Sequence, residues 1–169
     1  MPNHGWRDRA LAKRSCATLR AVVRKRAGDD VSAAIVAALA AAGLSTASRV
    51  GVACAGGADS TTLAHATMAL GRGGGLAAVV LVHVDHGLRP AAAADAARVE
   101  ALASAGGAAV HIARVVVDPS ASLEDAARRA RYGALERYAS LAGLDAVLLA
   151  HTASDQAETV IMRLVRGAG

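Results

Sequence analysis

The chain has 169 residues, 54% of them hydrophobic, which is one domain's worth of sequence with enough apolar side chains for a real core. It contains no run of 18 uncharged apolar residues, which argues against a membrane span, and its two cysteines, Cys16 and Cys54, form no C-x-x-C pair, which argues against a disulfide framework or cysteine cluster and fits a reducing cytoplasm. The net charge of +5 is unevenly held: residues 1–28 carry eight basic residues against Asp8, a balance of +7, while the remainder, with eleven basic and thirteen acidic residues, stands at −2. Residues 1–28 therefore read as a poorly ordered basic arm able to touch nucleic acid, and residues 29–169 as the folded domain. The arm shares an Arg-rich, acid-poor look with transit peptides, but its apolar content is too broken for a secretory signal.

From Asp30 the pattern becomes regular. Residues 31–43 combine strong helix formers with apolar positions three and four apart, and end at a glycine. A strand is expected over 49–54, then the turn Ala55-Gly56-Gly57 and a helix to about Leu70. Residues 77–84 form a continuous β-branched run suited to a strand buried on both faces of a parallel sheet. A helix over 91–105 and a strand over 109–117 follow. The capping box Ser122-Leu123-Glu124-Asp125 opens a long helix to about Leu141, residues 146–150 make a fourth strand, and a last helix starts near Ser154. This alternation predicts a doubly wound, parallel α/β sheet with helices on both faces and ligands at the C-terminal ends of the strands.

The polar clusters fall at those strand ends. Val52 to Ser60, V-A-C-A-G-G-A-D-S, has the strand, glycine turn and helix start of an anion site, where backbone N–H groups and the helix dipole favour phosphate. It is neither the G-x-x-x-x-G-K-[ST] loop, since the only lysines are Lys13 and Lys25, nor the G-x-G-x-x-G fingerprint. A plain turn with Asp59 and Ser60 as caps is the alternative. His83, Asp85 and His86 close the second strand, though His83 could be a hydrogen-bonded core residue and Asp85 could bond the turn at Gly87. His151 closes the last strand. Asp155 and Glu158 share the face of the helix after it, where they could act as caps or hold Mg²⁺. On the helix 122–141, Glu124 and Asp125 stand four residues before Arg128 and Arg129. Arg131 has Ala127 and Leu135 at those distances, and is left to reach a phosphate or to sit in solvent.

Four motifs then occur in order: C-A-G-G-A-D-S at 54–60, H-V-D-H-G-L-R-P at 83–90, A-R-R-A-R-Y at 127–132, and H-T-A-S-D-Q-A-E-T running to R-L-V-R-G-A-G at 151–169. Together they resemble the N-terminal domain of the tRNA(Ile)-lysidine synthetases, members of the PP-loop, or N-type ATP pyrophosphatase, group with an adenine nucleotide alpha hydrolase-like fold. The resemblance implies an ATP-dependent ligase. ATP adenylates C2 of the wobble cytidine in an isoleucine tRNA with a CAU anticodon, and free L-lysine then displaces AMP. It also implies that Ala55, Gly56, Gly57, Ala58, Asp59 and Ser60 hold the pyrophosphate with Mg²⁺. Asp85, His86 and Arg89 would line the crevice, and Arg131, His151, Asp155 and Glu158 would serve activation and lysine placement, with Asp59 and Asp155 as metal ligands. Departures from the family pattern are Ala55 in place of a serine, Ser154 in place of an aspartate and Arg129 in place of a glutamate. The chain also stops at Gly169, before that family's catalytic domain would end, so it reads as a C-terminally truncated fragment. The competing expectations are another PP-loop enzyme, of tRNA-thiolation or amidotransferase type, and a non-catalytic ATP-binding module.

Overall fold

A computed structural model describes residues 17–19, 31–85, 87, 92–116 and 123–150. Its elements, in chain order, are β1 (Ala17–Leu19), α1 (Val31–Ala41), β2 (Arg49–Ala53), α2 (Ala58–Arg72), β3 (Ala78–Asp85), α3 (Ala92–Gly106), β4 (Ala109–Arg114), α4 (Leu123–Ala142) and β5 (Ala146–Leu149). The strands form one sheet in the order β1-β5-β2-β3-β4, and every pairing is parallel. The doubly wound α/β architecture expected from the sequence is the one that forms. None of the helices among the described residues is long and apolar enough to cross a membrane.

Side-chain alternation along the strands sorts the core into two layers. Val50, Val52, Leu81 and Leu148 point to one face, where they meet Ile35 and Leu39 of α1, Leu63 and Met68 of α2, and Val99 of α3. Ala53, Val80, Val82, Val147 and Leu149 point to the other and meet Leu135 and Ala139 of α4. The chain's path explains this division. The steps β2 to β3 and β3 to β4 move one way across the sheet, so right-handed crossovers put α2 and α3 on the same face. β5 returns to the far side of β2, and the reversed step puts α4 on the opposite face. The reversal lies between β2 and β5, and the strand order leaves a crevice above the end of β2. Gly51 lets this junction close: a Cβ there would stand 2.9 Å from Leu144 Cδ1 and 3.3 Å from Val147 Cγ2.

Most boundaries fall within a residue or two of the sequence expectation, and two features depart further. β4 stops at Arg114: the Val115 N–H makes the last ladder bond, to the Asp85 carbonyl at 2.9 Å, and Val116 is 97% exposed. Ala17–Leu19, which falls inside the basic arm, pairs with β5 in the register Ala17 to Ala146. β5 would otherwise end the sheet with an open row of backbone donors and acceptors, and three residues of the arm satisfy that edge.

Candidate functional site

The end of β2 builds the site. Cys54 N–H still donates to the Val82 carbonyl at 2.9 Å, and the chain leaves the sheet at Ala55. Gly56 has φ +84°, a left-handed conformation open to glycine at little cost, and Gly57 then serves as N-cap of α2 in extended conformation. A glycine cap has no side chain to occupy the helix start. The first N–H groups of α2 have no intrahelical acceptor and are available to an anion.

Ser60 braces this turn from inside. Its hydroxyl donates to the Gly57 carbonyl at 3.1 Å and accepts from the Ala55 N–H at 3.3 Å, and the residue is buried. The hydroxyl is thus engaged by the loop itself. What Ser60 presents to a ligand is its backbone N–H. Asp59 and Ala58 are exposed in the first turn, and Ala55 is exposed in the loop.

Beside the loop lies a cavity of about 220 Å³ whose lining includes Cys54, Ala55, His83, Asp85, Asp95 and Arg131. Four elements supply it: the end of β2, the end of β3, the first turn of α3 and the middle of α4. His83 is 5% exposed, and its Nδ1–H donates to the Cys54 carbonyl at 2.9 Å. Asp85 Oδ1 accepts the Gly87 N–H at 2.8 Å, so the turn role left open by the sequence is real, and Asp85 lines the cavity as well. Arg131 reaches the cavity from α4. Burial pulls its guanidinium below the usual arginine range; Tyr132 opposes that shift, and the charge of Arg128 adds to it. Among the described residues Arg131 makes no hydrogen bond or ion pair. Arg128 lies over the Tyr132 ring at 5.7 Å from its centroid. The Glu124 and Asp125 side chains expected to pair with Arg128 and Arg129 lie outside the described residues, as do His86, Arg89, His151, Asp155 and Glu158.

Asp95 is the residue that sequence reasoning passed over. It stands in the first turn of α3, is bonded to Arg98, and its backbone and side-chain oxygens would lie 3.9 Å from a Cβ at Gly56. The available signal was its place: an acidic residue in the first turn of the helix that follows a strand ending at the crevice. No group of three or more His, Cys, Asp or Glu residues able to hold a metal occurs among the described residues.

Curated proteins of similar sequence are tRNA(Ile)-lysidine synthases. The tRNA(Ile)-lysidine synthase of Ralstonia nicotianae is 40% identical over 144 residues, 83% of this chain and 31% of that protein. Those of Bordetella parapertussis and Salinispora tropica are 48% and 49% identical, across 72% and 70% of this chain and 35% and 36% of theirs. The chain thus spans about a third of the length of the curated relatives it matches. Among solved structures, the U34-tRNA thiolase NcsA of Methanococcus maripaludis superposes with a TM-score of 0.62 over 71% of this chain and 44% of that one, at 16% identity, a likeness of fold. The sequence profile of the PP-loop domain matches residues 29–169, the stretch that holds the glycine turn, the reversal point of the sheet and the cavity beside them. The chain belongs to the PP-loop domain family.

Proposed function

We propose that this chain carries the nucleotide-binding and base-activating part of an ATP-dependent ligase that forms lysidine in an isoleucine tRNA with a CAU anticodon. The observation that carries the reading is the glycine turn at the end of β2, with Gly56 at φ +84° and the uncapped start of α2 beside a cavity lined by Arg131. The names of the relatives at 40–49% identity support the choice of reaction.

In this reading the triphosphate of ATP lies along residues 55–60. The C2 oxygen of the cytidine attacks the α-phosphorus, the bond from that phosphorus to the bridging oxygen breaks, and pyrophosphate leaves. An amine of lysine then attacks C2, and AMP departs with the former C2 oxygen. Backbone N–H groups at the start of α2 point to the pyrophosphate, where charge develops, and need no rearrangement to receive it. Arg131 supplies a fixed positive charge to the phosphoryl group and the polarised base. Asp59, an exposed carboxylate in the first turn, is a hard oxygen donor of the kind Mg²⁺ takes singly or in pairs alongside phosphates, so the residues present fit that ion. Bound there, Mg²⁺ would supply neutralisation of the phosphate charge. Asp85, held by Gly87, lines the cavity, and the resemblance assigns His86 and Arg89 to nucleotide and base contacts and His151, Asp155 and Glu158 to activation and lysine placement. Residues 1–28 form a basic arm that adds phosphate contacts to the tRNA outside β1.

A graft tests this function. Residues 17–169, which keep β1 on the edge of β5, replace the matching segment of the Bordetella parapertussis enzyme, and labelled lysine is followed into the tRNA. The expected result is ATP-dependent incorporation with release of AMP. A folded graft that binds the tRNA and transfers no lysine overturns the reading.

A further inference from the structure

His83 has a ring nitrogen without a partner among the described residues. The residue is 5% exposed, on the face of β3 that carries Leu81, and its Nδ1–H is committed to the Cys54 carbonyl at 2.9 Å. A carbonyl only accepts, so a proton sits on Nδ1, and in the uncharged ring Nε2 is then a pure acceptor. Among the described residues nothing donates to Nε2, yet His83 lines the cavity beside the glycine turn. A nitrogen buried this deeply without a partner is costly, and in native proteins such atoms are paired.

We infer that His83 selects the orientation of the bound nucleotide, with Nε2 accepting a hydrogen bond from an O–H or N–H donor on its nucleoside half. The inference rests on ATP being the ligand of this site. The chemistry of the acceptor decides which half of ATP faces it. Phosphate oxygens are acceptors and would repel the Nε2 lone pair, whereas the ribose hydroxyls and the adenine amine are the donors ATP carries. The backbone agrees with this division of the ligand. The phosphate-binding N–H groups lie at the start of α2, after Gly57, while His83 is anchored to Cys54, on the strand side of the turn. The Cys54 carbonyl thus sets the tautomer of His83, and the same strand end that launches the phosphate turn fixes the acceptor for the nucleoside.

Calorimetric titration of the 169-residue chain with ATP, 2′-deoxyATP, 3′-deoxyATP and ITP, on wild type, His83→Gln and His83→Leu, tests the inference. His83→Gln keeps an acceptor near the Nε2 position and should bind ATP within about threefold of wild type. His83→Leu should bind about tenfold more weakly, the worth of one hydrogen bond. One analogue, a deoxynucleotide if the donor is a hydroxyl or ITP if it is the amine, should lose a similar factor on wild type and little further on His83→Leu. The wild-type analogue series reads the contact even if His83→Leu does not fold. Wild type binding ATP and every analogue alike overturns the inference while leaving ATP binding intact. A loss on His83→Leu that is the same for all four nucleotides also overturns it, because the ring then senses none of the donors that the analogues remove. A wild-type chain that binds none of the four removes the nucleotide site itself.

Discussion

The Ser60 hydroxyl stands 3.1 Å from the Gly57 carbonyl and closes the glycine turn onto the helix that follows it. The same oxygen accepts the Ala55 N–H at 3.3 Å, so one buried side chain holds both ends of the loop. Ser60→Ala leaves the Ala55 N–H without that partner and should cost about 2 kcal/mol of stability. Denaturant unfolding would measure the loss, and titration should show weaker ATP binding as the loop loosens. An unchanged midpoint would mean that the loop is held by something other than Ser60.

Ala55 is exposed at the position where the family pattern has a serine. Its N–H is already used by Ser60, so a side-chain hydroxyl at position 55 would be an added donor toward the phosphates. Ala55→Ser should tighten ATP binding about tenfold, the equivalent of about 1.4 kcal/mol. No change in affinity would place Ala55 away from the ligand.

Arg131 is a half-buried cation with no anionic partner among the described residues, an arrangement that costs solvation unless a ligand completes it. Arg131→Met should raise the melting temperature by about 2–4 °C and weaken ATP binding about tenfold or more. Its lowered folded-state value means that the unfolded chain holds the proton more tightly, so stability from this group rises with pH only on approaching the arginine range. Between about pH 6 and 8 the penalty should be constant. Reduced stability with unaltered ATP affinity would make Arg131 a scaffold residue.

Much of the fold was legible because burial leaves a plain mark. The β-branched run of β3 and the apolar β5 are covered on both faces, and their sequences say so. β1 left no such mark. It is three residues long inside a basic segment, and only the open edge of β5 gives it a partner. At the site, the glycine turn could be read because strand, Gly-Gly and helix start are adjacent in sequence. The role of Ser60 as brace, the tie from His83 to Cys54 and the approach of Asp95 to Gly56 could not. The first depends on the backbone conformation of the turn, the second on the register of β2 against β3 and the third on the packing of α3, none of which the residue types alone encode.

The strand β1 also changes how the basic arm should be tested. Deleting residues 1–28 would strip the edge from β5, so charge must be removed without removing the strand. Replacing Arg7, Arg9, Lys13 and Arg14 by glutamine should weaken tRNA binding and flatten its dependence on salt, since each lost phosphate contact removes about one unit of slope. The segment beyond residue 28 has a net charge of −2 and offers little alternative attraction. Filter binding across a salt series would decide it, and an unaltered slope would move the tRNA contacts onto the folded body.

The most direct measurement is calorimetric titration of the wild-type chain and Asp59→Ala with ATP in the presence of Mg²⁺. Asp59 is exposed in the first turn of α2, so its loss should leave the fold intact. The expected result is one site on the wild type and an affinity at least tenfold weaker on the variant, with the difference shrinking when Mg²⁺ is withheld. Equal, undiminished affinity in both proteins would contradict the placement of the triphosphate on the glycine turn.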